Sequence, residues 1–188
     1  HMTKVGIPDS YLAPQFNKIL YKYWNVFTEY GSVSSYSAIN DGKVLELLRA
    51  KEIEWGILFS TPMTTDIESE LIDELKMKVA VNKEIENNTM LPLVIYAPDK
   101  LINQKLLEKL KKLEIRFSEV IKTDHLEWAS ELCDNGKCFM LKTKDEIELS
   151  TDLAAVEKIG EISIKIYAAW SSINKRLLSI RKISEISL

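Results

Sequence analysis

The chain has 188 residues, 46% of them hydrophobic and 28% charged, with a formal net charge of −3. That composition suits a globular protein with one large domain, or two smaller lobes with cores of their own. The slight acidity argues against non-specific nucleic-acid binding by these residues, and no apolar run approaches the roughly 20 residues of a membrane-spanning helix. His1-Met2 reads as a cloning remnant, and a strand begins almost at once at Lys4. The chain is therefore expected to be a piece of something longer, and the lack of a leader carries no weight.

Lys4 to Pro8 predicts a short strand, followed by a helix capped by Asp9 or Ser10. Leu12, Phe16, Ile19, Leu20 and Tyr23 recur at helical spacing, so that helix buries one face. Trp24 to Ile39 admits two readings: a strand Val26–Tyr30 before a serine-rich loop, or a helix running to Gly31. In the second, Val33, Ser35, Ser37 and Ile39 form one strand face, and Gly31 as a helix stop favours it.

Asn40 to Ser60 is the stretch around which the rest is arranged. Asp41 is a plausible N-cap for a helix whose apolar stripe is Val44, Leu45, Leu47 and Leu48. Ile53–Phe59 is then a nearly continuous apolar run, the pattern of a parallel strand covered on both faces. Ser60, Thr61 and Pro62 follow at its carboxyl end, where open α/β sheets bind ligands.

Asp66–Leu75 is polar and mixed, and Met77–Val81 is a strand leading out of the first lobe. Leu91–Ala97 opens a second set, with a helix over Lys100–Leu113 that turns Leu101, Leu106, Leu107 and Leu110 inward. Its lysines read as a solvated face. Further strands are expected at Arg116–Ile121 and Cys138–Leu141, with a helix between them at His125–Cys133 and a turn at Asp134-Asn135-Gly136. Ile147–Val156 is poorly patterned. Ile162–Trp170 is a strong strand returning to the first lobe, and Ile173–Leu188 predicts a closing helix. The expected architecture is α/β, with two Rossmann-like lobes joined by two crossover strands. Residues 3–82 with 162–188 form lobe I, and 83–161 form lobe II.

Four stretches, in order, resemble the effector-binding domain of LysR-type transcriptional regulators. They are VGIPDSYLAPQF, NDGKVLELLRAKEIEWGILFS, ELIDELKMKVAVNKE and HLEWASELCDNGKCFML. The resemblance implies the type 2 periplasmic-binding-protein fold and a sensing role in which a small-molecule effector enters the inter-lobe cleft. It also implies self-association as a homodimer or tetramer, and DNA contact only through an N-terminal helix-turn-helix that these residues do not include. The implied compartment is the cytoplasm. Asp41 stands where the family often has Ser or Thr, His125 where Ser is frequent, and Lys142-Thr143 where Leu-Pro is usual. These departures put the family's common carboxylate ligands in question.

Strand ends and helix starts nominate the ligand-binding residues: Ser10, Asn40, Asp41, Ser60 and Thr61 in the first lobe, and Asp99, Thr123, Asp124, His125, Lys142 and Thr143 in the second. Free amides at helix starts suit an anion, but aspartates crowd those same ends, which favours a ligand with an amine or several hydroxyls. The blander reading is that the aspartates and Ser10 are helix caps, each contributing about 1 kcal/mol. His125 is the only histidine besides His1, which disfavours metal binding or a catalytic triad. No phosphate loop, HExxH or dinucleotide fingerprint occurs. Cys133 and Cys138 are expected as buried thiols, and Trp24, Trp55, Trp128 and Trp170 as core or interface. The main expectation is a non-enzymatic sensor domain with no cofactor and no metal. The alternative is a free-standing solute-binding protein of a transporter.

Overall fold

The structure, a computed structural model, describes residues 2–22, 32–38 and 40–172. Trp24–Gly31, Ile39 and the expected helix Ile173–Leu188 lie outside them. The chain divides into two compact units, one holding residues up to Glu74 and from Lys165, the other Leu75–Ile164. Among the described residues no helix is long and apolar enough to cross a membrane.

The first unit contains β1 (Met2–Pro8), α1 (Ala13–Lys22), β2 (Ser32–Ala38), α2 (Asp41–Arg49) and β3 (Trp55–Leu58). It also takes the start of β4 (Ile67–Asn82) and the end of β9 (Ile162–Ser171). β1 is central and parallel to both neighbours, pairing Met2–Pro8 with Ser32–Ala38 on one side and Val5-Gly6 with Trp55-Gly56 on the other. β9 closes the other side of β3 in antiparallel register, Trp55 opposite Trp170 and Leu58 opposite Tyr167. Every residue of β3 is buried, as its apolar run predicts. The core gathers Val44, Leu47 and Leu48 of α2 with Ile53, Leu58, Ile67 and Ala169, and each such side chain contributes about 1.5–3 kcal/mol by leaving water. Two glycines let α2 and its following loop lie close on the sheet. A Cβ on Gly56 would meet Val44 Cγ1 at 2.3 Å, and one on Gly6 would meet Ile53 Cδ1 at 2.5 Å.

The second unit contains β5 (Leu93–Tyr96), α3 (Lys100–Lys112), β6 (Val120–Thr123), α4 (Leu126–Asp134), β7 (Phe139–Thr143), α5 (Lys144–Leu149) and β8 (Leu153–Ala155), with the rest of β4 and β9. β5 is parallel to β6 and β7, and β4 runs antiparallel to β7 and β8. Two βαβ crossovers, through α3 and α4, build this sheet. Ile102, Leu106 and Leu110 of α3 and Ala129 and Cys133 of α4 are buried, whereas Leu107, expected inward, is 41% exposed.

Several boundaries move. β4 begins at Ile67, not Met77, because its first half alternates among polar, half-covered residues that carry little apolar signal. The strand expected at Arg116–Ile121 is Val120–Thr123, since Arg116–Ser118 precede the ladder with β5. The unpatterned Ile147–Val156 holds the end of α5 and then β8. Trp55 and Trp170 are core residues, while Trp128 is 48% exposed.

Candidate functional site

In the first unit, parallel pairing of β1 with β2 and β3 puts the carboxyl ends of all three at one sheet edge. Ser10, Asn40, Asp41, Ser60 and Thr61 all follow those ends. The N-cap of α2 is Asn40, not Asp41: its side chain accepts the Lys43 amide at 3.0 Å from an extended backbone. Asp41 is thereby freed for another task. Its carboxylate accepts the Phe59 amide at 3.1 Å, the Ser60 amide at 3.2 Å and the Ser60 hydroxyl at 2.9 Å. The start of α2 is thus tied to the tip of β3. Burial raises the Asp41 pKa above the ordinary aspartate value, outweighing the Ser60 and Phe59 bonds that lower it.

Ser10 is buried, and its hydroxyl accepts the Leu12 amide at 3.1 Å in the turn before α1. Ser60 and Thr61 are exposed. Of the first-unit candidates, then, Asp41 and Ser60 are joined directly, Asn40 and Ser10 fasten local backbone, and Thr61 faces solvent.

In the second unit the parallel strands β5, β6 and β7 again share one carboxyl edge. Asp99, buried, caps α3 by accepting the Ile102 amide at 3.2 Å. The Thr123 hydroxyl accepts the His125 amide at 3.1 Å. His125 occupies the N-cap position of α4 but makes no side-chain capping bond. Its Nε2 lies 3.4 Å from Asp124, both side chains being about four-fifths exposed. Thr143 opens α5 with a reciprocal capping box, accepting the Glu146 amide while Glu146 accepts the Thr143 amide, each at 3.1 Å. Lys142 is buried, with its ammonium on the Ser130 hydroxyl and 3.8 Å from Glu146.

So Asp99, Thr123 and Thr143 spend side-chain atoms on helix starts and turns, Lys142 is held inside the unit, and Asp124 and His125 point outward. Sequence reasoning missed Ser130 and Glu146 as the partners of Lys142. The spacing Thr143-x-x-Glu146 announces the capping box, whereas nothing in the local sequence marks Ser130. The two thiols, Cys133 in the last turn of α4 and Cys138 just before β7, are buried. A hydrogen bond from Cys133 lowers the Cys138 pKa, and the same bond with burial raises that of Cys133. Among the described residues no group of three or more His, Cys, Asp or Glu side chains could hold a metal ion.

A cavity of about 700 Å³ in the second unit lies elsewhere, at the amino ends of β5, β6 and β7 among Leu91, Phe117 and Phe139. The sequence does not announce it, because its walls come from four separated segments.

No family model matches the chain, and no curated protein matches it. Solved structures do. The regulatory domain of HypT from Salmonella typhimurium, bromide-bound or apo, aligns with a TM-score of 0.79 at 11% identity, over 98% of this chain and 94% of that one. Full-length LysG from Corynebacterium glutamicum with its effector Arg bound aligns with a TM-score of 0.71 at 10% identity, over 98% of this chain and 66% of that one. Full-length CbnR complexed with target DNA aligns with a TM-score of 0.73 at 13% identity, over 98% of this chain and 71% of that one. At such identities the likeness is one of backbone architecture. The chain has the α/β, type 2 periplasmic-binding-protein-like fold of LysR-type regulatory domains.

Proposed function

We propose that this chain is the ligand-sensing regulatory domain of a LysR-type transcriptional regulator, non-enzymatic, acting as a homodimer or tetramer. It takes a small-molecule effector at the strand tips and reaches DNA only through a helix-turn-helix outside these residues. The fold likeness supports the class, since the matched structures are regulatory domains and whole regulators, one of them on DNA.

The observation that bears on the ligand is the Asp41 carboxylate on the Phe59 and Ser60 amides. Those amides at a strand tip would otherwise suit an anion. With a carboxylate of the protein already on them, a second anion meets repulsion, and an ammonium or hydroxyl group meets an acceptor. The effector is therefore an amine or a polyhydroxy compound, engaged by Asp41, Ser60 and Thr61 in the first unit. LysG, of the same fold, was solved with Arg as its effector.

A thermal-shift panel of amino acids, diamines, sugars and simple carboxylates tests this, because a ligand of the native state raises the unfolding temperature. Stabilisation by amines or sugars, lost in Asp41→Asn, is the expected result. Stabilisation by simple carboxylates alone would refute the ligand class. The alternative class, a solute-binding protein of a transporter, is separated by the genomic sequence upstream. A helix-turn-helix there supports the sensor, and a secretion signal overturns it.

A further inference from the structure

The cavity at the amino ends of β5, β6 and β7 is at the opposite end of that sheet from Thr123 and Thr143, so it is not part of the strand-tip site. Its volume of about 700 Å³ falls within the roughly 300–1,000 Å³ typical of small-molecule sites. It lies wholly within the second unit.

Its walls are held by bonds that do not depend on a ligand. Asn82 Nδ2 donates to the Asp134 carbonyl at 2.7 Å, and its Oδ1 accepts the Glu84 amide at 2.9 Å. The Lys83 amide donates to Asp152 at 2.8 Å, the Val156 amide to Val79 at 2.8 Å and the Phe139 amide to Pro92 at 2.8 Å. Gly136, at φ +75°, leaves room for Ile85, whose Cδ1 would stand 3.1 Å from a Cβ there. The cavity is thus preformed, which limits the ordering cost of binding.

Its chemistry has two parts. Phe117 and Phe139 make an aromatic floor, their ring centroids 5.1 Å apart at an interplanar angle of 57°. Lys83, Arg116 and Lys158 bring three cationic groups to the lining against the carboxylates of Glu86 and Glu157. Glu157 is already paired with Lys78 at 3.1 Å. Among the described residues the Arg116 guanidinium has no hydrogen bond or ion pair, although it adjoins Phe117. A half-buried aromatic surface beside an unengaged guanidinium fork suits one kind of molecule, a flat apolar body ending in a carboxylate.

We propose that this cavity is a second effector site, taking a small aromatic carboxylic acid with its ring on Phe117 and Phe139 and its carboxylate on Arg116. Such a site would let one domain read two metabolites of opposite charge. It does not depend on the strand-tip reading.

The test is calorimetric titration of the whole chain with 3-phenylpropionate, with 2-phenylethylamine as the counterpart of opposite charge. The expected result is saturable binding of the acid, no saturation by the amine, and a Kd weakened roughly threefold to tenfold in Arg116→Gln. Arg116 is exposed, so that variant folds as the parent does. Ser60→Ala, at the strand tips, is expected to leave the Kd unchanged. The proposal is overturned if the acid does not saturate, if the amine binds equally well, or if Arg116→Gln equals the parent. It is also overturned if Ser60→Ala abolishes binding, because the acid would then occupy the strand-tip site.

Discussion

The Asp41 carboxylate accepts the Ser60 hydroxyl at 2.9 Å and, with the Phe59 and Ser60 amides, links two residues 19 positions apart in the chain. The link fixes where α2 begins relative to the end of β3. Because Phe59 is buried, its amide has no easy recourse to water once the carboxylate is removed. Asp41→Ala is expected to lower stability by about 1–2 kcal/mol, the loss of charged hydrogen bonds being offset in part by relief of carboxylate burial. Urea denaturation measures it. An unchanged midpoint would mean the carboxylate carries no weight in the folded state.

The same group predicts a pH dependence with an unusual sign. Burial first, against the Ser60 and Phe59 bonds, raises the folded Asp41 pKa above its value of 3.8 in the unfolded chain. The folded state therefore holds this proton more tightly. Its contribution to stability is present below 3.8 and is lost as pH rises through the folded value. Asp66 has the opposite sign. Its bond from Arg49 at 2.8 Å, then that from Thr64, lowers its pKa, so its contribution exists above 3.8 and is lost as pH falls through the folded value. Denaturation of Asp41→Asn and Asp66→Asn between about pH 3 and pH 7 separates them. The advantage of the parent over Asp41→Asn should grow on acidification, and its advantage over Asp66→Asn should shrink.

Much of the frame was legible because burial leaves a period in the sequence. The unbroken run of β3 and the alternation of Ile162, Ile164 and Ile166 in β9 could only be strands covered by other elements. The first half of β4 was not legible, since Glu68 to Glu74 interrupt Leu71 and Ile72 with five polar residues, and their pairing comes from neighbours distant in the chain. Asn40 and Asp41 are both good cap formers, and local chemistry cannot rank them. What assigns the cap to Asn40 is that Asp41 is drawn to the tip of β3, a tertiary effect. The Phe117–Phe139 cavity was illegible for the same reason. Sequence distance hides it.

Close packing of α2 on the sheet makes a further prediction. A methyl on Gly56 would meet Val44 Cγ1 at 2.3 Å, and Val44 is fully buried and stiff at χ1. A methyl on Gly6 would crowd the flexible end of Ile53, at 2.5 Å, and meet Val44 Cγ1 only at an ordinary 3.7 Å. Gly56→Ala is therefore expected to cost about 1–3 kcal/mol and Gly6→Ala less. Adding Val44→Ala to Gly56→Ala should recover part of the loss, since the two share one space. Equal costs at the two glycines would show that the helix, not the side chain, sets the limit.

Lys142 offers the last prediction, on how a buried ammonium is kept. Its partners are the Ser130 hydroxyl and, at 3.8 Å, the Glu146 carboxylate, which is also engaged with the Thr143 amide. Removing the hydroxyl in Ser130→Ala leaves the charge in place with one distant partner, whereas Lys142→Met removes the charge and keeps the apolar stem. Leaving a buried charge under-bonded costs more than replacing it with an apolar group of similar length. Ser130→Ala should therefore destabilise by about 1–3 kcal/mol and Lys142→Met by less. The double variant should match Lys142→Met alone, because the Ser130 hydroxyl has nothing left to satisfy. Urea denaturation of the three proteins decides it. If Lys142→Met proves the worst of them, the ammonium is a net stabilising contact and not a charge merely accommodated.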